Sequence, residues 1–263
     1  MDLGLHGKVA MVAASSKGLG FGIARELARE GALVSIGSRT ETDVFDAADQ
    51  LTEETGAEVL ANVLDAADPD SILQWLDNTT EAFGGVDMLV VNAGGPPAGK
   101  FDDFNDDDWQ GAFELTLMSA VRMIRAVLPS MRQAGGGSIL TITSSSVKEP
   151  IDFMLLSNVM RSGVTSLAKS LSQQLAPGNI RINNLMPGRI DTDRVRSLDA
   201  MNAEKRDLSV EEVRAANELG IPLRRYGTIE EFGRLGAFLL SDAASYITGQ
   251  TIAVDGGSIK TVW

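Results

Sequence analysis

The first residues whose types and spacing imply chemistry are Ala13-Ala14-Ser15-Ser16-Lys17-Gly18-Leu19-Gly20-Phe21-Gly22, a glycine-rich turn between a short apolar run and an amphipathic stretch. Glycines at a strand-to-helix turn let the backbone approach a phosphate, and the helix start adds free N–H groups and a positive dipole end. On this reading Ala14, Ser16, Lys17, Gly18, Leu19 and Gly20 cradle a dinucleotide; the plainer alternative is a turn kept small for packing. About 20 residues further on, an NAD site needs a carboxylate for the ribose 2′-OH. Ser38-Arg39 stand there instead, and with Lys17 they suit a 2′-phosphate, so the expected cofactor is NADP(H). Ser144, in Ile142-Thr143-Ser144-Ser145-Ser146, ends a later strand and so faces the crevice where ligands bind in such sheets.

Much other chemistry is excluded. The 263 residues include no cysteine, which rules out disulfides, thiolate nucleophiles and Cys-ligated metals. The lone histidine, His6, precedes the first strand, so neither a Ser-His pair nor a His-ligated metal is expected. A formal charge of −13 argues against nucleic acid and anionic membrane surfaces. No apolar run approaches the roughly 18 residues of a bilayer span, and the apolar run at 9–14 is too short for a signal sequence. The expectation is a cytoplasmic protein acting on a small molecule.

These residues need a frame. Short apolar runs at 8–13, 32–37, 57–63, 86–91, 137–143, 179–185 and 251–254 read as strands buried on both faces. Stretches of helical periodicity at 20–30, 43–55, 69–83, 107–133, 153–175 and 229–241 alternate with them. The alternation predicts an α/β fold: a Rossmann-type, doubly wound parallel sheet of about seven strands with helices on both faces. It reads as one domain, 1–263, with a cofactor half at about 1–145 and a catalytic half at about 146–263. The charged stretch 191–225 is expected to be a substrate lid, with a plain insertion as the alternative.

Further motifs make the chain resemble the short-chain dehydrogenase/reductase family over essentially its whole length. Asn92-Ala93-Gly94 is similar to the family's Asn-Asn-Ala-Gly, with Val91 for the first Asn, and Asn62-Val63 falls where members contact adenine. Pro187-Gly188, followed by Ile190 and Thr192, resembles the segment bordering the nicotinamide. Ser245-Tyr246-Ile247-Thr248-Gly249-Gln250 and Val254-Asp255-Gly256-Gly257 resemble the C-terminal signature, the nearest general type being 3-oxoacyl reductase-like. The resemblance implies Ser144 as the catalytic serine. It also exposes departures. The family's Tyr-x-x-x-Lys is replaced by Ser157 and Arg161, its helix-four Asn by Thr116, and the Thr-Gly before the loop by Ala13-Ala14.

Serine donates a hydrogen bond but is a poor acid, and arginine keeps the charge without titrating. Lys148, on the loop after Ser144, is a candidate proton donor, the alternative being a solvated lysine paired with Glu149; Asp152 is a second candidate. The expected activity is NADP(H)-dependent interconversion of a carbonyl and an alcohol, on a small molecule or acyl thioester, by an altered mechanism. The alternatives are a non-catalytic NADP(H)-binding sensor or partner subunit, and non-redox chemistry such as dehydration. An acidic carrier protein is disfavoured by the net charge, unless Arg122, Arg125 and Arg132 offset it. The resemblance further implies a homo-oligomer, dimer or tetramer, with helices four and five at one interface; Phe113, Leu117, Val121, Ile124 and Leu128 in one and Val164, Leu167 and Leu171 in the other suit such a face, the alternative being a buried core helix. Arg39→Asp should lower NADPH affinity relative to NADH by at least about tenfold; dissociation constants whose ratio does not move would remove the NADP(H) assignment.

Overall fold

Val9–Ala13 (β1) has no exposed residue, so it needs a strand on each edge and a helical layer on each face. In the computed structural model, which describes residues 2–262, it has both. Leu33–Ser38 (β2) and Met88–Val91 (β4) pair with it in parallel. Val59–Val63 (β3), Gly137–Ile142 (β5), Ile180–Pro187 (β6) and Thr251–Val254 (β7) extend the sheet to the parallel order β3-β2-β1-β4-β5-β6-β7. The order reverses between β1 and β4. The helices that follow these strands leave to opposite faces, which opens a crevice at the strands' carboxyl ends.

One face is covered by Gly18–Arg29 (α1), Glu41–Thr55 (α2) and, from the other end of the chain, Ile229–Leu240 (α9), with Ile23, Leu27, Leu51 and Phe232 in the core. The other face carries Pro69–Phe83 (α3), Ser119–Gln133 (α5) and Leu155–Leu175 (α6), with Trp75, Met123, Met131 and Val164 beneath them. Of the residues expected to form an oligomer face, Ile124 and Val164 are spent in this core. Leu117, Leu128, Leu167 and Leu171 are only partly covered.

Three local results differ from the periodicity. The helix expected over 107–133 is divided into Asp106–Ala112 (α4), a π-helical turn Phe113–Met118, and α5. The π turn carries Thr116 and widens the ladder where the chain passes α6. The helix expected from residue 153 starts at Leu155, because Phe153 takes a left-handed φ of +60°. The stretch 191–225 is two helices, Asp193–Arg206 (α7) and Val210–Gly220 (α8), the second held by a Ser209/Glu212 capping box.

α1 and α9 join the two ends of the chain at unusually close range. A Cβ on Gly22 would stand 2.5 Å from the Ile229 carbonyl, and one on Gly233 would run into the Gly22 carbonyl. Arg25 reaches across the same seam to Glu230. On β6, Arg181 donates to the carbonyls of Leu239, Leu240 and Ser241, satisfying the end of α9. At the start of α9, Arg225 and then the Thr228 main chain hold the Glu231 carboxyl down to about 2. Gly233→Ala should therefore destabilise the fold by about 1–3 kcal/mol through overpacking, read as a lowered urea midpoint; an unchanged midpoint would show that the helices can separate freely.

Candidate active site

The glycine turn is shaped by contacts that only small residues permit. Ala14 takes a φ of +48°, and Gly18 one of +65°. A Cβ on Gly20 would stand 2.5 Å from the Ala14 carbonyl. Beneath the turn, Ser15 is fully buried: its Oγ donates to the Val12 carbonyl at 2.6 Å and accepts from the Gly37 amide at 3.3 Å. The turn is thus tied to β1 and β2, leaving the first amides of α1 open. Opposite, Thr192 caps α7, its Oγ1 accepting from the Val195 amide at 3.3 Å, and its methyl faces Gly18. Between them lies a cavity of about 190 Å³, lined in part by Ser16, Lys17, Gly18 and Thr192. A larger one, about 410 Å³, runs along α6 and β7 past Lys169 and Gln250 and takes in none of Ser144, Ser157 or Arg161.

At the end of β2, Ser38 Oγ donates to Ser16 Oγ at 2.9 Å, joining the two segments. Arg39 is exposed and makes no ion pair among the described residues; its NH2 lies 3.9 Å from where a Cβ on Gly94 would be. Lys17 is only loosely held, its Nζ 3.9 Å from Asp43 Oδ2 with both groups exposed. Across the reversal, Asn92 Nδ2 donates to the Ala14 carbonyl at 3.2 Å, fixing Asn92-Ala93-Gly94 against the turn.

Asn62 is elsewhere than expected. Its amide is buried, donating to Ser35 Oγ at 3.1 Å and accepting from Asn78 at 2.9 Å, in a core network with Trp75 and Thr79. The parallel ladder continues past it, with Leu64 N donating to the Ser38 carbonyl at 2.9 Å. Past β3 the chain reaches the crevice at 64–66, where Asp65 is exposed while the side chains of Leu64 and Ala66 are buried in the core. The sequence signal was the Asp-Ala-Ala-Asp-Pro run that caps α3, which fixes where the strand must stop. Ile190 is likewise turned inward, its side chain in the core, so there Pro187-Gly188 and the main chain of 189–191 border the crevice.

At the catalytic end, Ser144 is half-buried, and its Oγ accepts from the Ser146 amide at 3.1 Å. Arg161 donates from Nε to Ser157 Oγ at 3.1 Å, and from NH1 to the carbonyls of Ile142 at 3.1 Å and Thr143 at 3.4 Å. One guanidinium thus ties α6 to the end of β5 immediately before Ser144. Burial, and then the charge of Arg194, push its ionisation down to about 10, so it remains charged at neutral pH. No carboxylate pairs with it among the described residues. Three buried hydroxyls nearby have no hydrogen-bond partner: Thr143 and Ser146 beside Ser144, and Thr116 on the π turn that packs against α6. Lys148 is half-buried on the same loop; Glu149, its expected partner, instead accepts from the Lys260 amide at 2.9 Å.

Neither tyrosine replaces the missing one. Tyr246 is fully exposed and precedes β7, at the opposite edge of the sheet. Tyr226 is buried, and burial, then its bond to Asp199, raise its pKa above 10. Its hydroxyl donates to Asp199 Oδ2 at 2.7 Å, while Arg189 NH1 and Asn217 Nδ2 donate to Oδ1 at 3.1 and 3.0 Å. This network fastens α7 and α8 to the 187–191 segment.

Comparison with known proteins follows the same outline. A family model described as enoyl-(acyl carrier protein) reductase matches residues 13–258. Human dehydrogenase/reductase SDR family member 4 is 35% identical over 255 residues, 97% of this chain and 88% of that one. This chain belongs to the short-chain dehydrogenase/reductase family. The NADPH-dependent reductase BacG of Bacillus subtilis is 32% identical over 256 residues, covering 97% of this chain and 99% of BacG. The solved L-sorbose reductase of Gluconobacter frateurii, complexed with NADPH and L-sorbose, superposes with a TM-score of 0.95 at 32% identity over 100% of both chains.

In this short-chain dehydrogenase/reductase, α7 and α8 are held by a buried charge rather than by hydrocarbon. α7 buries only Asp199 and Ala203. Asp199→Ala would leave Arg189, Asn217 and the Tyr226 hydroxyl without their common acceptor. The expected result is faster proteolytic cleavage within 193–220, with the urea midpoint of the sheet core little changed; cleavage at the wild-type rate would show that the network does not hold the helices.

Proposed function

We propose that the chain is an NADP(H)-dependent oxidoreductase that reduces a carbonyl of a small molecule, with the reverse alcohol oxidation at the same site. The observation that carries this reading is the Arg161 guanidinium, which bridges Ser157 and the β5 carbonyls next to Ser144. The glycine turn fits a dinucleotide diphosphate, since Gly18 enters α1 at a φ of +65° and no side chain caps the helix, so its first amides are free for an anion. Unpaired Arg39 and loosely held Lys17 suit a 2′-phosphate, and no carboxylate ends β2. The NADPH-bound reductase among the solved relatives supports the same cofactor. We place the adenine beside Asp65 and Ala66, the adenosine ribose along Asn92-Ala93-Gly94, and the nicotinamide against Pro187-Gly188 and Thr192.

The cofactor supplies a hydride; the chain must hold the carbonyl and manage its charge. Ser144 Oγ accepts from an amide and Ser157 Oγ from Arg161, so each hydroxyl has its proton free to donate. Two such donors on the carbonyl oxygen polarise it, and the charge of Arg161 behind Ser157 stabilises the oxygen as it becomes an alkoxide. The proton is relayed to the oxygen through these hydroxyls, from water or from the Lys148 ammonium, the candidate donor on the same loop. Lys148 is placed to hold the substrate side of the loop. Residues 1–145 carry the cofactor and 146–263 the substrate, with α7 and α8 as the lid; the protein works in the cytoplasm as a homo-oligomer.

A second reading, a non-catalytic NADP(H)-binding subunit, is favoured by one observation: both tyrosines lie outside the crevice. The deciding experiment is NADPH binding, then NADPH oxidation with ketones, aldehydes, diketones and 3-oxoacyl thioesters, on wild type and Ser144→Ala. The expected outcome is turnover that falls by about 10²-fold or more in the variant, with the NADPH dissociation constant unchanged. Tight binding without any turnover would establish the second reading, and no binding would remove both.

A further inference from the structure

α7 carries a charge, on Arg194, that pairs with no carboxylate among the described residues. The guanidinium of Arg194 crosses the crevice to Gly95, where a Cβ would stand 2.9 Å from its NH2. The acids beside it on the chain are committed elsewhere. Asp191 pairs with Arg196 at 2.8 Å and Arg214 at 3.1 Å, and Asp193 pairs with Arg196 at 3.1 Å. The ionisation of Arg161, lowered first by burial, is lowered further by the charge of Arg194. Arg194 is exposed to solvent and Arg161 half-buried, so the crevice presents two guanidinium groups with no carboxylate paired to either among the described residues, a positive site that favours an anion.

A second observation lies at the outer end of the same crevice. Phe153, in its left-handed conformation, is half-exposed, and the ammonium groups of Lys100 and Lys205 lie 4.9 and 5.1 Å from its ring centroid. Lys100 ends the loop that begins at Asn92, and Lys205 sits in the last turn of α7. Neither ammonium has a carboxylate partner among the described residues; the Asp103 carboxylate accepts from the Lys100 main-chain amide at 2.7 Å. Two like charges gathered on one ring, in a chain of net charge −13, focus a positive potential on the mouth. About 16 Å of helix axis separate Lys205 from Arg194, so the pair at the mouth guides and the inner arginine grips.

We infer that the substrate is an oxo acid, whose carboxylate is held by Arg194 beside Gly95 while its carbonyl meets Ser144. This rests on the reductase reading above and adds the substrate class. The guanidinium fork matches a carboxylate in two parallel hydrogen bonds, and the missing side chain at Gly95 leaves the room that the guanidinium itself takes up across the crevice. Arg194 is here a specificity residue; it takes no part in the hydride or proton steps.

The test compares short 2-oxo and 4-oxo acids with their methyl esters, on wild type, Arg194→Gln and Arg194→Lys. It measures kcat/KM with NADPH, calorimetric binding of acid and ester to the NADPH complex, and the NADPH dissociation constant. The expected result is an acid-over-ester preference of about ten- to a hundredfold in wild type. That preference should disappear in Arg194→Gln and return in part in Arg194→Lys, with NADPH binding unchanged. Equal use of acid and ester, or a preference that survives Arg194→Gln, would overturn the inference. So would an Arg194→Gln variant that binds NADPH more weakly and keeps the preference, because Arg194 would then serve the cofactor diphosphate. Absence of turnover with every carbonyl would instead overturn the reductase reading. In that event, selective binding of the acid to the NADPH complex, lost in Arg194→Gln, would still uphold the anion site, and its absence would overturn it.

Discussion

Seven strands running in one direction place every carboxyl end on a single edge, and the reactive parts of this protein are all consequences of that alignment. β1 ends at the glycine turn, β2 at Arg39, β4 at Asn92, β5 at Ser144 and β6 at Pro187. Residues far apart in sequence meet because their strands stop together. The reversal between β1 and β4 then leaves a crevice across which Asn92 reaches the Ala14 carbonyl. Tyr246 shows the same rule from the other side: preceding β7, it must emerge at the amino edge, out of reach of Ser144.

The strands were legible because burial on both faces writes itself as a short, uninterrupted apolar run, and all seven were readable to within two residues. What a run does not show is where its last side chain turns. Asn62 is polar, sits near a strand end, and yet points into a nest formed by Ser35, Trp75, Asn78 and Thr79. Only the partners of a buried amide reveal that it is structural. α7 was hidden for the opposite reason. A helix that buries one aspartate and one alanine has almost no apolar stripe, so periodicity reads it as a charged loop. The π turn at Thr116 was invisible because a single widened turn leaves the surrounding helical spacing nearly intact.

At the catalytic end, the sequence could name Arg161 and Ser157 as the occupants of two family positions but not their relation to each other. They lie one helical turn apart, so the guanidinium folds back on the serine through Nε and turns NH1 to the β5 carbonyls. A lysine could not make these contacts in one plane, since its ammonium is a point rather than a fork. The substitution therefore changes what the charge does. It ties Ser157 on α6 to the end of β5, just before Ser144.

The fastening of α7 and α8 by Asp199, Tyr226, Arg189 and Asn217 has a thermodynamic corollary. Apolar surface brought into water raises heat capacity, whereas polar surface lowers it slightly. Lifting α7 from the sheet would uncover a carboxylate, a phenol and guanidinium groups, with Ala203 and Val213 as the main hydrocarbon. The two contributions are small and opposed. The balance between fastened and released helices should thus change little in steepness with temperature, while the hydrocarbon packed on the two faces of the sheet carries the curvature of the fold's stability.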